Sequence, residues 1–238
     1  LAIVATDLDD LLGKLRSAAD ALASGHQRRH APDGVHLSLR PLAADGGLAL
    51  LFPGQGSQVV EMGRELAVIF PEAREVFDRA DKALEDRLEE RLSRYIFPPP
   101  AFDDDKRRLQ QERLTDTQVA QPALGAVDLA YLKVLDGLGL RPTMAAGHSY
   151  GELVALAAAG SLADDDLLRL SEARGRHMRE GAADEPGAMA AVDAAPEALD
   201  ELVEGDGELV LANLNSPRQT VIAGSRAAIE RALEGCGR

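Results

Sequence analysis

The chain has 238 residues, of which 45% are hydrophobic and 28% charged, a composition typical of globular proteins. Its formal net charge of −14 argues against a nucleic-acid partner, and no long charge-free apolar run indicates a membrane span or signal peptide, so we expect a cytoplasmic protein without a membrane partner. Cys236 is the only cysteine, which excludes an intrachain disulfide or a cysteine-based zinc site, and we predict no metal site.

Residues 1–46 are predicted to form a small unit of their own. An amphipathic run from Asp7 to Ala23 places apolar residues at helical spacing, with Asp7 as its cap. The stretch from Val35 to Leu39 alternates like a strand. Because so short a segment cannot build a robust core alone, we expect it to pack on a neighbour.

Residues 47–184 are predicted to form an α/β unit. Leu48–Phe52 is a short apolar run typical of a buried strand, and the turn Pro53–Gly56 ends it. Helical patterns follow over residues 59–97. A charged, flexible-looking stretch then continues to about Leu114.

The same unit continues with alternating helices and a strand. Apolar spacing predicts a helix from Asp116 to Leu138, a short strand from Thr143 to His148, and a small-residue helix from Tyr150 to Gly160. Asp164 is a suitable cap for another helix reaching about Glu180. The side chains expected on its buried side are those of Leu167, Leu168, Leu170, Ala173 and Met178.

Residues 185–238 have a different order of predicted elements. The pattern predicts the order βαββα, with strands at Gly187–Val192, Leu209–Leu214 and Thr220–Ala223 and helices at Pro196–Val203 and Arg226–Leu233. This order is one strand short of the ferredoxin-like plan and would leave an unpaired sheet edge. We therefore expect an α/β protein, with a hydrolase-like parallel-sheet subdomain, a smaller ferredoxin-like α+β subdomain, and a natural polypeptide that continues beyond Arg238.

The strongest chemical signal is Gly147-His148-Ser149-Tyr150-Gly151-Glu152, between a predicted strand and a predicted helix. That setting is the one required by a nucleophile elbow, in which a sharp turn lifts the serine hydroxyl out of the sheet. The N-terminus of the following helix directs amide N–H groups to the same place and favours an oxyanion there. The alternative, an ordinary serine in a turn, is disfavoured by the strand–turn–helix context.

Five sequence blocks in this order resemble the malonyl-type acyltransferases of fatty acid and polyketide synthases, the malonyl-CoA:acyl carrier protein transacylase family. They are Phe52–Gln58, Thr117–Leu124, Gly147–Glu152, Glu172–Gly175 and Ala212–Pro217. Tyr150 and the Phe97–Pro100 stretch are most similar to the acyltransferases of enediyne and polyunsaturated-fatty-acid synthases. Residues 1–46 resemble the linker that follows a ketosynthase.

The resemblance implies a ping-pong acyl transfer. Ser149 would take a malonyl group from coenzyme A and pass it to the phosphopantetheine thiol of an acyl carrier protein. The backbone amides of Gln55 and Tyr150 would form the oxyanion hole, and Arg174 would pair with the malonyl carboxylate. The implied partners are malonyl-CoA, the carrier protein and other synthase domains, with no permanently bound cofactor.

Two further residues are second-tier candidates for the substrate site. His148 precedes the nucleophile and projects away from it in a sharp elbow, so we expect it to shape the pocket rather than to act as a base. Gln121 matches a glutamine of the family's active-site region; its alternative role is a polar contact inside a helix. Arg174, taken by its position alone, is more typical of a solvated helix face, and only the surrounding motif favours the substrate site.

The general base is the missing component. A serine hydroxyl needs a base near neutral pH, and the family supplies a histidine from a motif well beyond the serine. His177 is the only histidine downstream of Ser149 and belongs to the arginine block, so we do not assign it. We therefore expect the base beyond Arg238, in a longer or cleaved chain, unless the protein is inactive.

Two other functional readings stay open. A serine hydrolase or thioesterase-like enzyme would use the same elbow with water as acceptor. An inactive structural fragment of a synthase would carry the site residues as vestiges.

Overall fold

A computed structural model describes residues 1–40, 46–184 and 187–236. Residues 41–45, 185–186 and 237–238 lie outside the described residues, and the predicted boundaries at 46–47 and 184–185 adjoin or fall among them. The division into units 1–46, 47–184 and 185–238 therefore stays a prediction.

The N-terminal elements form a small sheet and one helix. Strand β1 (Ala2–Ile3), helix α1 (Leu8–Ala23), and strands β2 (Arg28–His30) and β3 (Val35–Ser38) follow in order, and the antiparallel sheet is ordered β1-β3-β2. The Asp7 carboxylate caps α1 by accepting a hydrogen bond from the Asp10 N–H at 2.9 Å. The predicted helix, its cap and the predicted strand are confirmed.

The described residues 46–184 form two parallel strands and seven helices. The strands are β4 (Ala49–Phe52) and β5 (Met144–Gly147), and the helices are α2 (Arg64–Ile69), α3 (Pro71–Ala83), α4 (Leu92–Ile96), α5 (Asp104–Thr115), α6 (Thr117–Gly137), α7 (Gly151–Ala158) and α8 (Asp164–Asp184). Over the described ranges, no helix combines the length and the apolar character that crossing a bilayer requires.

Helix α6 is the centre of this core. It packs against α3, α5, α7 and α8, and most of its side chains are buried. The Asp116 carboxylate caps it by accepting from the Gln118 N–H at 2.9 Å. The helix predicted from Asp116 to Leu138 is thus confirmed, and it provides a rigid surface on which the site is built.

The expectation of a flexible charged stretch before Leu114 is wrong, because these residues form α5. Asp103 caps the helix, and acidic side chains in its first turn pair with basic ones three residues on, as in Asp104–Arg107 at 2.9 Å. This arrangement suits both the helix dipole and i,i+3 pairing. Leu114 is fully buried and anchors the helix to the core.

The expected buried side of α8 is only partly correct. Leu167 and Leu168 are buried, but Leu170 is 43% exposed and Met178 is 48% exposed. The buried face of α8 instead continues from Leu167 and Leu168 through Ser171, Glu172 and Gly175, which lie one to two turns further along the helix. Small and polar residues occupy these positions because α8 lies very close to α6 and forms hydrogen bonds with it.

The C-terminal elements have the predicted βαββα order. They are β6 (Gly187–Val192), a 3₁₀ turn (Pro196–Ala198), α9 (Asp200–Asp206), β7 (Leu209–Ser216), β8 (Gln219–Ser225) and α10 (Arg226–Cys236). The antiparallel sheet is ordered β6-β8-β7. A separate small core joins it to its helices, formed by Leu199, Leu209, Ile222, Ala228, Ile229 and Ala232.

The close approach of α6 and α8 predicts opposite effects for two glycines on α8. A Cβ at Gly175 would overlap the Thr117 carbonyl oxygen and lie 2.7 Å from the Gln118 Cα, both backbone atoms that cannot move aside. We expect Gly175→Ala to lower the free energy of unfolding by about 2 kcal/mol or more. Urea unfolding monitored by circular dichroism measures it.

Gly181→Ala is the matched control, because a Cβ at Gly181 meets nothing within 4 Å. Alanine in an exposed helix position should raise the free energy of unfolding by up to about 1 kcal/mol. Equal stability of the two variants would contradict the close packing of α8 on α6.

Candidate active site

The site begins where the two parallel strands end. The register pairs Phe52 with Gly147, so the turn after β4 and the turn after β5 lie side by side. A Cβ added to Gly54 would lie 2.7 Å from the His148 carbonyl oxygen and 3.4 Å from the Ser149 Cβ. The glycine-rich turn therefore lies against the turn that carries Ser149.

Ser149 occupies a strained elbow. Its φ of +52° lies in the left-handed region, which costs a non-glycine residue about 1–2 kcal/mol. A side chain at Gly147 would overlap the backbone of Gly151, and one at Gly151 would overlap the Phe52 carbonyl. The pattern G-x-S-x-G is thus required by backbone contacts, and it leaves the Ser149 side chain exposed.

Two backbone N–H groups at these turns differ from their neighbours in their hydrogen bonding. At the start of α7, the N–H of Gly151 donates to the His148 carbonyl at 3.0 Å, and that of Glu152 donates to the Ser149 carbonyl at 3.2 Å. Among the described residues, no acceptor takes the N–H of Tyr150 or of Gln55. Free amides beside an exposed serine, with one of them at a helix N-terminus, can stabilise a negative oxygen.

A polar network joins the glycine-rich turn to α6 and α8. The Thr117 hydroxyl donates to Gln55 Oε1 at 2.8 Å, and Gln121 Nε2 donates to Thr117 Oγ1 at 3.0 Å. Gln121 is fully buried, and its Oε1 accepts from an Arg174 guanidinium nitrogen at 2.8 Å. The structure therefore brings together Gln55, Gln121 and Arg174.

Arg174 is half-buried and held by a buried side chain, which disfavours the solvated-face alternative. Its helix is fixed by Glu172, which is 1% exposed and accepts hydrogen bonds from Arg87 at 3.0 Å, Gln118 at 2.8 Å and Arg176 at 3.2 Å. Two guanidinium groups compensate the buried carboxylate. The hydrogen bonds to Glu172 hold α8 against α6 and so set the position of Arg174.

Sequence reasoning did not single out Thr117, Gln118 or Glu172. All three lie within blocks that carried the family resemblance, but nothing in their local pattern separates them from ordinary helix-surface residues. Their role depends on partners that are more than fifty positions away along the chain, from Gln55 to Thr117 and from Gln118 to Glu172.

The histidines are placed outside this network. His148 is exposed on the elbow, and its ring carbon Cδ2 would lie 3.2 Å from a Cβ at Gly54. His177 is 68% exposed, and its Nδ1 lies 3.3 Å from a carboxylate oxygen of Glu180. In the described part of the chain, no side chain hydrogen-bonds to the Ser149 hydroxyl.

The fold and the site together define a class of protein. A strained, exposed serine between a parallel strand and a helix, next to two free amides, is the arrangement of α/β enzymes that form an acyl-serine. Residues 49–238 match the sequence profile of the family described as "Acyl transferase domain", and the chain belongs to that family.

The chain is also similar to individual acyltransferases. The chain is similar to the malonyl CoA-acyl carrier protein transacylase of Bacillus subtilis, with 40% identity over 79% of this chain and 56% of the relative. The acyltransferase domain from the second module of the salinomycin polyketide synthase superimposes with a TM-score of 0.77 and 36% identity, over 100% of this chain and 51% of that one.

A second solved structure includes a carrier protein. A malonyl-transacylase, solved in complex with a type II polyketide synthase acyl carrier protein, superimposes with a TM-score of 0.69 and 34% identity, over 81% of this chain and 59% of that one. The chain thus spans between half and two thirds of the length of these relatives.

A buried carboxyl on α6 makes stability depend on pH. Burial raises the pKa of Asp128 from 3.8 to about 7, and within the described ranges its buried Oδ2 has no hydrogen-bond partner. The protonated form is favoured in the folded state, so its stabilising contribution is complete below pH 3.8 and is lost as pH rises through 7. Asp128→Asn does not titrate.

We therefore expect Asp128→Asn to gain stability relative to the wild type between pH 4 and pH 8, by up to about 4 kcal/mol. Chemical unfolding at both pH values measures the difference. Asp20→Asn, at an exposed position of α1, is the control and should show the same offset at both. A pH-independent offset for Asp128→Asn would contradict the burial argument.

Proposed function

We propose that this protein transfers a malonyl-type acyl group from coenzyme A to the phosphopantetheine thiol of an acyl carrier protein. The observation that carries the proposal is the hydrogen-bonded chain from Gln55, on the turn that lies against the serine elbow, through Thr117 and Gln121 to Arg174. Membership of the acyl transferase family and similarity to malonyl CoA-acyl carrier protein transacylases support it.

The first half-reaction forms a serine ester. The Ser149 oxygen attacks the thioester carbonyl, and the negative charge that develops on the carbonyl oxygen is stabilised by the N–H groups of Gln55 and Tyr150. The C–S bond then breaks. The serine proton passes to a general base and on to the departing coenzyme A thiolate.

The second half-reaction reverses these steps with a different thiol. The phosphopantetheine thiol attacks the Ser149 ester, its C–S bond forms as the C–O bond breaks, and the proton returns to the serine. The strained elbow serves both halves, because it leaves the serine accessible to two bulky thiol carriers in turn.

Arg174 selects the acyl group in this proposal. The Arg174 guanidinium is oriented by its hydrogen bond to the buried Gln121. Within the described residues Gln121 is the hydrogen-bond partner of this guanidinium, so its other N–H donors remain for a carboxylate. A planar, always charged fork pairs with a carboxylate through two parallel hydrogen bonds. Acetyl groups leave this guanidinium unpaired, which disfavours them. His148, beside the elbow, contributes to the shape of the pocket.

We further propose that the domain works inside a multienzyme polyketide synthase, with residues 1–46 as the linker that follows a ketosynthase. Similarity to the salinomycin synthase domain over the whole chain supports this. Kinship with enediyne-type synthases, antibiotic biosynthesis and a cytoplasmic location are the finer parts of the proposal. They rest on Tyr150 and the Phe97–Pro100 stretch and on the sequence composition.

The two alternatives gain no comparable support. A hydrolase of simple esters has no use for a carboxylate-binding arginine beside the elbow. An inactive fragment does not require a serine held at a strained φ between two indispensable glycines.

Replacement of the nucleophile gives the first test. Incubation of the full-length protein with radiolabelled malonyl-CoA should label Ser149, and Ser149→Ala should reduce covalent labelling by more than about 1,000-fold, because no oxygen remains to carry the acyl group. Ser161→Ala, an exposed serine after α7, is the control and should label like the wild type. Undiminished labelling of Ser149→Ala would refute the proposal.

Replacement of the arginine tests substrate selection. We expect Arg174→Gln to lower kcat/KM for malonyl-CoA by about 100-fold or more while acetyl-CoA is used at least as well as before, because only malonyl has a carboxylate to bind. Steady-state transfer to the carrier protein measures both. Arg169→Gln, an exposed position on the same helix, is the control. A parallel fall for both thioesters would argue against carboxylate recognition by Arg174.

A further inference from the structure

Tyr150 is an unusual neighbour for an exposed serine, because its side chain is completely buried. The ring enters the core between α6 and α8, and its hydroxyl lies 2.7 Å from Ser171 Oγ. The Ser171 hydroxyl itself donates to the Leu167 carbonyl at 2.6 Å, so Tyr150 is the donor in the pair. Burial raises the pKa of Tyr150 well above its usual range, which keeps the hydroxyl protonated and able to donate.

A glycine on α6 makes room for this hydrogen bond. A Cβ at Gly125 would overlap the Tyr150 hydroxyl and lie 3.6 Å from Ser171 Oγ. Glycine inside a helix costs about 1 kcal/mol relative to alanine. The absence of a side chain at Gly125 therefore leaves the space that the tyrosine hydroxyl at position 150 occupies next to Ser171.

The hydrogen bond between Tyr150 and Ser171 connects two parts of the site that lie on different elements. The Tyr150 backbone N–H is one of the two free amides beside Ser149, and Ser171 lies one helical turn before Arg174 on α8. A single rigid side chain therefore spans from the amide that would hold the oxyanion to the helix that carries the guanidinium.

We propose that Tyr150 is a positioning residue that sets the separation between the oxyanion amide and Arg174, and so matches the site to the length of a malonyl group. This inference rests on the proposed function. In malonyl the thioester carbonyl and the carboxylate are joined by one methylene, so a small change in that separation prevents both ends from binding at once. An acetyl group has a thioester carbonyl but no carboxylate, so it can shift together with the oxyanion amide without losing a second contact.

The test compares malonyl and acetyl transfer in variants of the full-length protein that break the hydrogen bond in different ways. Tyr150→Phe and Ser171→Ala each remove one hydroxyl, and Gly125→Ala displaces the tyrosine without removing either. We expect each to lower kcat/KM for malonyl-CoA by about tenfold and that for acetyl-CoA by less than about twofold. Because both hydroxyls serve one bond, the Tyr150→Phe/Ser171→Ala double variant should fall no further than a single one.

The ratio of malonyl to acetyl transfer separates positioning from a purely structural role. Loss of folded protein lowers both rates alike and leaves the ratio unchanged, whatever happens to Tm. Tyr131→Phe, at a half-exposed tyrosine of α6, is the matched control and should keep the wild-type ratio.

The outcomes distinguish this inference from the function on which it rests. An active wild type whose ratio stays within twofold in Tyr150→Phe and Gly125→Ala overturns the inference alone. A full-length wild type that forms no malonyl-enzyme overturns the proposed function and the inference with it.

Discussion

The site depends on the direct contact of two backbone turns at the ends of parallel strands. Gly54 lies against the elbow, and Gly147 and Gly151 allow the elbow to close on itself and on the Phe52 carbonyl. No residue with a Cβ satisfies these distances, so the turn geometry and the φ of +52° at Ser149 are determined together. Exposure of the serine and the two free amides follows from that geometry.

The second determinant is the tight packing of α8 on α6. Gly175 allows the helices to approach, and Glu172 is bound by groups from three parts of the chain. Because these contacts are local, a positively charged guanidinium can be held on the hydrogen-bonded chain that reaches Gln55, although the protein chain as a whole carries a formal charge of −14. Local hydrogen-bonded geometry, rather than net charge, therefore determines where that guanidinium lies.

Much of this could be predicted from the sequence, because the signals were local. Apolar spacing and caps gave α1, α6 and the βαββα order, and the strand–turn–helix setting of Ser149 gave the elbow. The helix α5 was missed because its stabilising pairs, such as Asp104 with Arg107, look like an unstructured charge run when only hydrophobic spacing is considered. The polar face of α8 and the roles of Thr117 and Glu172 were missed because they arise from contacts between distant segments.

The most direct measurement is a crystal structure of the full-length protein trapped as the malonyl-enzyme. We expect an ester on Ser149, with its carbonyl oxygen hydrogen-bonded to the N–H groups of Gln55 and Tyr150 and its carboxylate paired with Arg174. An ester whose carboxylate points to solvent, with Arg174 still bound only to Gln121, would contradict it.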